Sequence, residues 1–454
     1  MEHSFVSEMN ITATTIATES TLQELFAPLS DQPGAVWLDS SLTIGDRGRY
    51  SFIGRNPSLD AILEGDRLIV RERGGQVLTY TGHGWLDVLD QLWADGRRFS
   101  VGYLSYEATL PFIGLKPAGK HPVVPDARFL FYDSVLRYDH ETLDLSATSP
   151  DHDDYADLIA GDYTSPSITG SVTSQVSSTI SRRTYLDKVS MVKNHLYEGD
   201  IYQANFTTRM DINSAEHPFD AYMRLRQLSP APYSAYLNFG DYQILSSSPE
   251  RMLLRKGNRI TTGPIKGTIA RGRTLAEQKR NQLQLLNSEK DKSELLMIVD
   301  LERNDLGRIA HTGSVAVDAL FRPEVYSSVI HLVADISATV NPRTTTGRVL
   351  AALLPGGSIT GAPKKRAVEI LSELEPVPRS VYTGVIGFVH DGCADFSIAI
   401  RTMIHYGSLY QVHAGGGIVA DSDPEMEYAE MLLKASNMLE SLKQNMDSIA
   451  WQRS

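Results

Sequence analysis

The stretch YSAYLNFGDYQILSSSPERMLLRKGNRITT (residues 233–262) reads as four short strands in succession. The strands are Tyr233–Leu237, Tyr242–Ser247, Arg251–Lys256 and Arg259–Thr262, with turns at Gly240-Asp241 and Gly257-Asn258. Glycine paired with Asp or Asn accepts the positive φ angles of a tight hairpin. The pattern returns at Val381–Val389, Ala394–Met403 and Leu409–Ala414, with turns at Asp391-Gly392 and Gly407-Ser408. Helical segments are long and stand apart from the strands. Thr184–Tyr197 carries Leu186, Val189, Val192 and Leu196 on one face, Leu275–Glu302 is one long helical stretch, and Pro424–Leu442 has proline in its first turn. Runs of hairpins with separate helices predict an α+β fold, not a doubly wound parallel sheet.

Upstream, Ala35–Leu38, Ser51–Gly54, Arg67–Arg71 and Gln76–Tyr80 read as strands and Trp85–Trp93 as a helix. The segment TSPSITGSVTSQVSS (164–178) follows an acidic loop, and nine of its fifteen residues are Ser or Thr. It predicts an N-terminal domain over 1–163, a connector over 164–180 and a larger domain over 181–447. The 454 residues carry 43 Lys+Arg against 55 Asp+Glu, a net charge of −12. That balance argues against nucleic acid or an anionic membrane as partner. The single cysteine, Cys393, excludes an internal disulfide framework and a multi-cysteine metal site. With no secretory signal and no apolar run long enough to span a bilayer, the expected location is cytoplasmic.

Several motifs carry chemistry. PGGSITGAPKKR (355–366) has the glycine spacing of a phosphate loop, but Ala362-Pro363 stand where Lys-Ser or Lys-Thr would be needed. A structural turn and an anion site beside a helix start near Pro363 both remain open. Asp291 and Glu294 are three apart on one helix, and Glu427 and Glu430 repeat that spacing on the last. Two such helices facing one cleft would form an all-oxygen site suited to Mg²⁺, and a solvated helix face has the same spacing. Lys266, in GPIKGT (263–268), is a nucleophile if its pKa is depressed and a solvated lysine otherwise. Glu250, at the start of the strand Arg251–Lys256, comes near it if the hairpins pair in order, as a general acid or as an ion-pair partner. Arg401 ends one apolar strand and Ala414–Gly417 the next, so a carboxylate could be gripped there. His331 lies in an apolar run, where a core histidine is the plainer reading.

In order along the chain, GDIYQANFT (199–207), SSSPERM (246–252), GPIKGT (263–268), KDKSELLMIVDLERNDLGR (290–308), HLVADI (331–336), PGGSITGAPKKRAVEILSELEP (355–376), DFSIAIRT (395–402) and AGGGIVADSDPEMEYAE (414–430) resemble the chorismate-utilising enzymes. WLDSS (37–41) and GYLSYEA (102–108) resemble that family's first domain more loosely. The resemblance implies large antiparallel sheets in a β-sandwich-like core flanked by helices, and a Mg²⁺-dependent site for chorismate. It makes Glu294 and Glu430 the metal ligands, with Asp291 and Glu427 acting through water. Tyr382, Arg401, the backbone of Gly415, Gly416 and Gly417, and Lys434 would hold the substrate's carboxylates. His331 would stand near the departing group and Thr360 in the active-site loop. Asp39 and Ser40 match a region where relatives hold tryptophan, which makes them a candidate regulatory site or a plain strand end.

Two positions separate the family's branches. Isochorismate and salicylate synthases carry a lysine base where this chain has Gln203. Anthranilate synthases carry alanine where it has Lys266, the residue of the aminodeoxychorismate branch. The implied reaction is amination of chorismate to 4-amino-4-deoxychorismate, in p-aminobenzoate and folate biosynthesis, with Lys266 as covalent nucleophile and Glu250 as acid. Cys393 falls in a predicted hairpin turn, a poor setting for a glutaminase nucleophile, so a separate glutamine amidotransferase subunit is expected to supply ammonia. The alternatives are anthranilate synthesis and a silent regulatory subunit that binds chorismate or tryptophan.

Overall fold

The computed structural model describes residues 14–16, 21–82, 84–148, 155–160 and 175–444. Most of the expected connector, residues 164–174, and the end of the larger segment, 445–447, lie outside the described residues.

Two twelve-stranded sheets form the centre, and every pairing described in them is antiparallel. They pack face to face because strand residues alternate between an inner and an outer apolar layer. In Tyr233–Asn238, Ala235 and Leu237 face the other sheet while Tyr236 faces outward. In Phe99–Leu104, Phe99, Val101 and Tyr103 face inward and Leu104 outward. Between the sheets Phe52 meets Phe99 and Phe388, with ring centroids 4.7 and 5.0 Å apart. Helices Arg182–Tyr197, Pro218–Leu228 and Pro424–Ser441 cover one outer face. Trp85–Ala94, Glu289–Gly307 and Thr346–Leu353 cover the other. The result is helix, sheet, sheet, helix, and the expected α+β sandwich is what the chain forms. With both faces of each sheet covered, central strands read as nearly unbroken apolar runs.

The segments on either side of the connector share both sheets. Val36–Asp39 pairs with Tyr233–Asn238 in one, and Phe99–Leu104 pairs with Val385–His390 in the other. Three expectations about single elements are corrected. Leu275–Glu302 is two helices, Leu275–Leu286 and Glu289–Gly307, because the Ser288 hydroxyl accepts from the Asp291 N–H and starts a new helix. Val381–Val389 becomes a strand only at Val385, after Ser380 and Thr383 take positive φ. Ala394–Met403 is two strands in different sheets, Cys393–Ile398 and Thr402–Tyr406, and Arg401 at φ +50 lies in the crossing between them. Strands Ala316–Val325 and Val329–Thr339 form a long hairpin at the edge nearest the acidic helix.

Candidate active site

A cavity of 240 Å³ opens where the ends of both sheets meet the first turns of Glu289–Gly307 and Pro424–Ser441. Strand Ile265–Ala270 brings Lys266 to it. Against Val329–Thr339 the register steps from Lys266↔Leu332 to Thr268↔His331, and Gly267 is the residue bulged out. Gly267 has φ +68, and a Cβ there would lie 2.9 Å from the Cβ of Asp291. Glycine allows the left-handed backbone and lets the helix come close. Gly267→Ala is therefore expected to cost about 1 kcal/mol or more, read as a lower urea midpoint. An unchanged midpoint would show that the helix withdraws freely.

Lys266 Nζ donates to the Ser358 carbonyl at 3.2 Å. Burial lowers its pKa below the ordinary lysine range, against the opposing pull of Glu250 and Glu294. Glu250 is 5% exposed, and one carboxylate oxygen accepts from the Ile265 N–H at 3.4 Å. Burial raises its pKa, and Lys266 and the Ser358 hydroxyl act the other way. The strands carrying the two residues are not neighbours, since the order runs 265–270, 329–339, 259–263, 251–256. They meet because the chain turns at Pro264, directly after the strand that pairs with Arg251–Lys256.

His331 is buried, with Nδ1 2.9 Å from the Thr268 hydroxyl and Nε2 without a protein partner. Burial, reinforced by Arg401, lowers its pKa to about 3, so the imidazole is neutral at ordinary pH. Arg401 lines the pocket from the sheet crossing, and burial lowers its pKa. Tyr382 also lines it, stacked on His413 with centroids 5.2 Å apart.

The four acidic residues line one cavity from two helices. Asp291 and Glu294 line the pocket from one helix, and Glu427 and Glu430 from the other. Burial raises the pKa of Glu294, with Lys266 and Lys290 opposing and Asp291 and Glu430 adding to the rise. Burial also raises Glu427, whose carboxylate accepts from the Ser422 hydroxyl at 2.6 Å. For Glu430 the burial effect is outweighed by Lys434, whose Nζ is 2.8 Å away, and the pKa falls. Lys434 also donates to the Gly415 carbonyl at 3.1 Å. Among the described residues, the one group of three ligating side chains with donor atoms within 4.8 Å of one another is His195, Glu198 and Asp200, and there Asp200 already bonds His195 and Arg366. Glu294 and Glu430 fit a Mg²⁺ ion that keeps several waters, because such an ion takes one or two protein carboxylates and oxygen donors only.

Gly415 and Gly417 line the pocket from strand Leu409–Ile418. Gly416 lets Glu427 in, since a Cβ there would stand 3.0 Å from its Oε2. Gln203 lies just behind, its amide 2.6 Å from where a Cβ on Gly417 would be, with neither amide atom hydrogen-bonded. Thr360 is fully buried and does not line the pocket. Its hydroxyl donates to the Gly356 carbonyl at 2.7 Å, and its carbonyl accepts from the Asn205 N–H at 2.7 Å. Ser358, Thr268 and Tyr326 were not singled out from sequence, although the first two stand in the quoted motifs. Tyr326 packs edge-on against His331 and donates to the Pro249 carbonyl at 3.3 Å.

Asp39 and Ser40 lie elsewhere, at a separate cavity of 590 Å³ reached also by Asp46, Tyr233, Arg251 and Asp395. The Asp39 carboxylate is bound by Arg226 at 2.5 Å and Tyr222 at 3.0 Å, and the Ser40 hydroxyl donates to the Tyr50 carbonyl at 2.7 Å.

A family model described as chorismate binding enzyme matches residues 64–440. The chain belongs to the chorismate binding enzymes. This member of the family is 36% identical over 435 residues to aminodeoxychorismate synthase component 1 of Escherichia coli strain K12, covering 92% of this chain and 95% of the relative. It is 33% identical over 453 residues to anthranilate synthase component 1 of Acetivibrio thermocellus, covering 91% of each. Among solved structures, anthranilate synthase component I from Streptococcus pneumoniae TIGR4 superposes with a TM-score of 0.73 at 29% identity, over 87% of this chain and 93% of that one. No helix among the described residues is long and apolar enough to cross a membrane.

Proposed function

We propose that this chorismate binding enzyme aminates chorismate at C4 to give 4-amino-4-deoxychorismate, in p-aminobenzoate and folate biosynthesis. Relatives with the two chemistries are about equally similar overall, so the choice rests on residues. The observation that carries it is Lys266 at the back of the pocket with its pKa depressed, beside a buried Glu250 whose pKa is raised. A proton passing from the ammonium to the carboxylate leaves a neutral amine and a neutral acid side by side. That is the pair a covalent displacement requires.

The amine of Lys266 attacks C2, the ring double bonds shift, and the C4 hydroxyl leaves as water with the Glu250 proton. The new secondary ammonium returns its proton to Glu250. Ammonia then attacks C4 and the double bonds shift back. Glu250 gives its proton to the nitrogen that leaves C2, so that Lys266 departs as the free amine, and the new C4 ammonium returns a proton to Glu250. The sum is chorismate plus ammonia to aminodeoxychorismate plus water. Arg401, Tyr382 and the Gly415–Gly417 backbone would hold the substrate's carboxylates, and neutral His331 would offer a hydrogen bond without adding charge. A Mg²⁺ ion held by Glu294 and Glu430, with Asp291 and Glu427 bonding its waters, would neutralise the substrate's ring carboxylate. Ammonia is supplied by a separate glutamine amidotransferase subunit, and no glutaminase use is read for Cys393, whose thiol pKa burial raises to about 12.

The deciding experiment is a product assay with purified chain, chorismate, Mg²⁺ and ammonium, resolved by chromatography with mass detection. Aminodeoxychorismate is expected; anthranilate as sole product would overturn the reading of Lys266. In the same assay Glu250→Gln is expected to lower kcat by roughly 10²–10⁴-fold, the usual worth of a general acid. Full activity would remove Glu250 from the chemistry.

A further inference from the structure

The helix Glu289–Gly307 carries acidic residues past the pocket into the interior. Asp291 and Glu294 stand at its open end, and Glu302 and Asp305 follow at spacings that keep them near the same face. Glu302 is 3% exposed and Asp305 6%. Lys364 reaches in from the helix Lys364–Leu374 and places Nζ 2.6 Å from Asp305 Oδ2 and 3.1 Å from the Leu353 carbonyl. That cation is therefore committed to Asp305, and Arg308 Nη2 adds a second contact to the same carboxylate at 3.2 Å. Glu302 has no such partner. Its Oε2 is buried without a hydrogen bond, and Thr262, from the strand beside Glu250, lies against its carboxyl. The titratable groups around it are Glu250 from the turn before Arg251–Lys256, Asp305 on its own helix, and Lys364.

An ionised carboxylate buried without a cation costs several kcal/mol, far more than the protonated form. The reaction read above gives Glu250 a proton in one step and takes it away in the next. A second negative charge behind it would hold Lys266 as ammonium and work against release of the amine.

Resting on that reading, we propose that Glu302 is a positioning residue for the Glu250–Lys266 pair: a carboxyl group that stays protonated behind Glu250, so that the two carboxyls carry at most one negative charge while the catalytic proton moves. Burial, with Glu250 and Asp305 adding to it, raises the Glu302 pKa to about 8, so the proton is held through neutral pH. Above that range the lost proton raises the Lys266 pKa and slows nucleophilic attack.

The test is infrared difference titration of the whole chain without substrate, comparing wild type with Glu302→Gln. A protonated-carboxyl band absent from the variant and titrating near pH 8 is expected, and Glu250→Gln should move its midpoint to lower pH by removing the neighbouring negative charge. No such band at neutral pH, or a midpoint indifferent to Glu250→Gln in a variant with native circular dichroism, would overturn the proposal. The second reading is the pH–rate profile at constant free ammonia. The rate at pH 9 relative to pH 7 should rise roughly three- to tenfold in Glu302→Gln over wild type, because the variant cannot form the negative charge that raises the Lys266 pKa at high pH. An unchanged ratio would reduce Glu302 to a structural role. The band needs no turnover, so a titrating band with anthranilate as product would sink the Lys266 reading alone, and aminodeoxychorismate without the band would sink this one.

Discussion

Lys266→Ala is expected to lower aminodeoxychorismate formation by about 10³-fold or more, the scale of loss when a covalent nucleophile is removed. The lysine is placed for this role by its surroundings. The bulge at Gly267 turns strand Ile265–Ala270 toward the acidic helix, the Ser358 carbonyl accepts from Nζ, and burial depresses the pKa. Alanine removes the amine and leaves the Glu250 acid and the acidic helices standing. Ammonia then meets chorismate with C2 unblocked, and a small yield of anthranilate is the expected by-product. Lys266→Arg separates nucleophile from charge, because guanidinium keeps the cation but does not deprotonate at working pH. It should be as inactive as alanine. The decisive check is intact-protein mass after mixing wild type with chorismate and Mg²⁺ without ammonia. A covalent adduct on the peptide containing Lys266, absent from both variants, is the expected result. Undiminished aminodeoxychorismate formation by Lys266→Ala would end the covalent reading.

Which residues line the pocket was easier to read than which strands pair around it, for a physical reason. The proposed catalytic and metal-binding groups sit in short segments whose residue types are unusual for their setting, such as a lysine between glycines at 266 or acidic pairs on two helices. What a sequence does not print is which distant strands pair. Val36–Asp39 lies beside Tyr233–Asn238 and Phe99–Leu104 beside Val385–His390, so the Ser/Thr-rich stretch separates the chain in sequence while both sheets run across it. The sheet crossing at Arg401 was hidden because the residues on either side are equally apolar, one strand end facing each sheet. Ser288 carried a readable signal, a capping hydroxyl three residues before Asp291, masked by the apolar period running through it. In sequence Glu302 is one more charge in DLERND (300–305), and only the depth of its helix face and the commitment of Lys364 to Asp305 set it apart.

Removing either proposed metal ligand should abolish stabilisation by Mg²⁺, while the two removals should differ in their effect on the Mg²⁺-free chain. Burial makes the charged form of Glu294 unfavourable, and Asp291 and Glu430 add repulsion. A carboxyl whose folded pKa is raised is more protonated folded than unfolded, so at pH values above its ordinary pKa its ionised form detracts from stability. Glu294→Ala should therefore leave the Mg²⁺-free chain as stable as wild type or slightly more so. Glu430 is held differently, since Lys434 at 2.8 Å lowers its pKa, and Glu430→Ala should cost the Mg²⁺-free chain a little. That pair is partly exposed, which keeps its worth within about 1 kcal/mol. Mg²⁺ should raise the melting temperature of wild type by binding the folded state alone, and raise neither variant's appreciably at the same concentration. Turnover should fall by about 10²-fold or more in both, beyond the loss typical of groups that only support a ligand. Asp291→Asn and Glu427→Gln should weaken the Mg²⁺ dependence without abolishing it, since each would act through water. A Mg²⁺ melting shift that survives in Glu294→Ala and Glu430→Ala would place the ion on other groups, and the carboxylate assignment would have to be withdrawn.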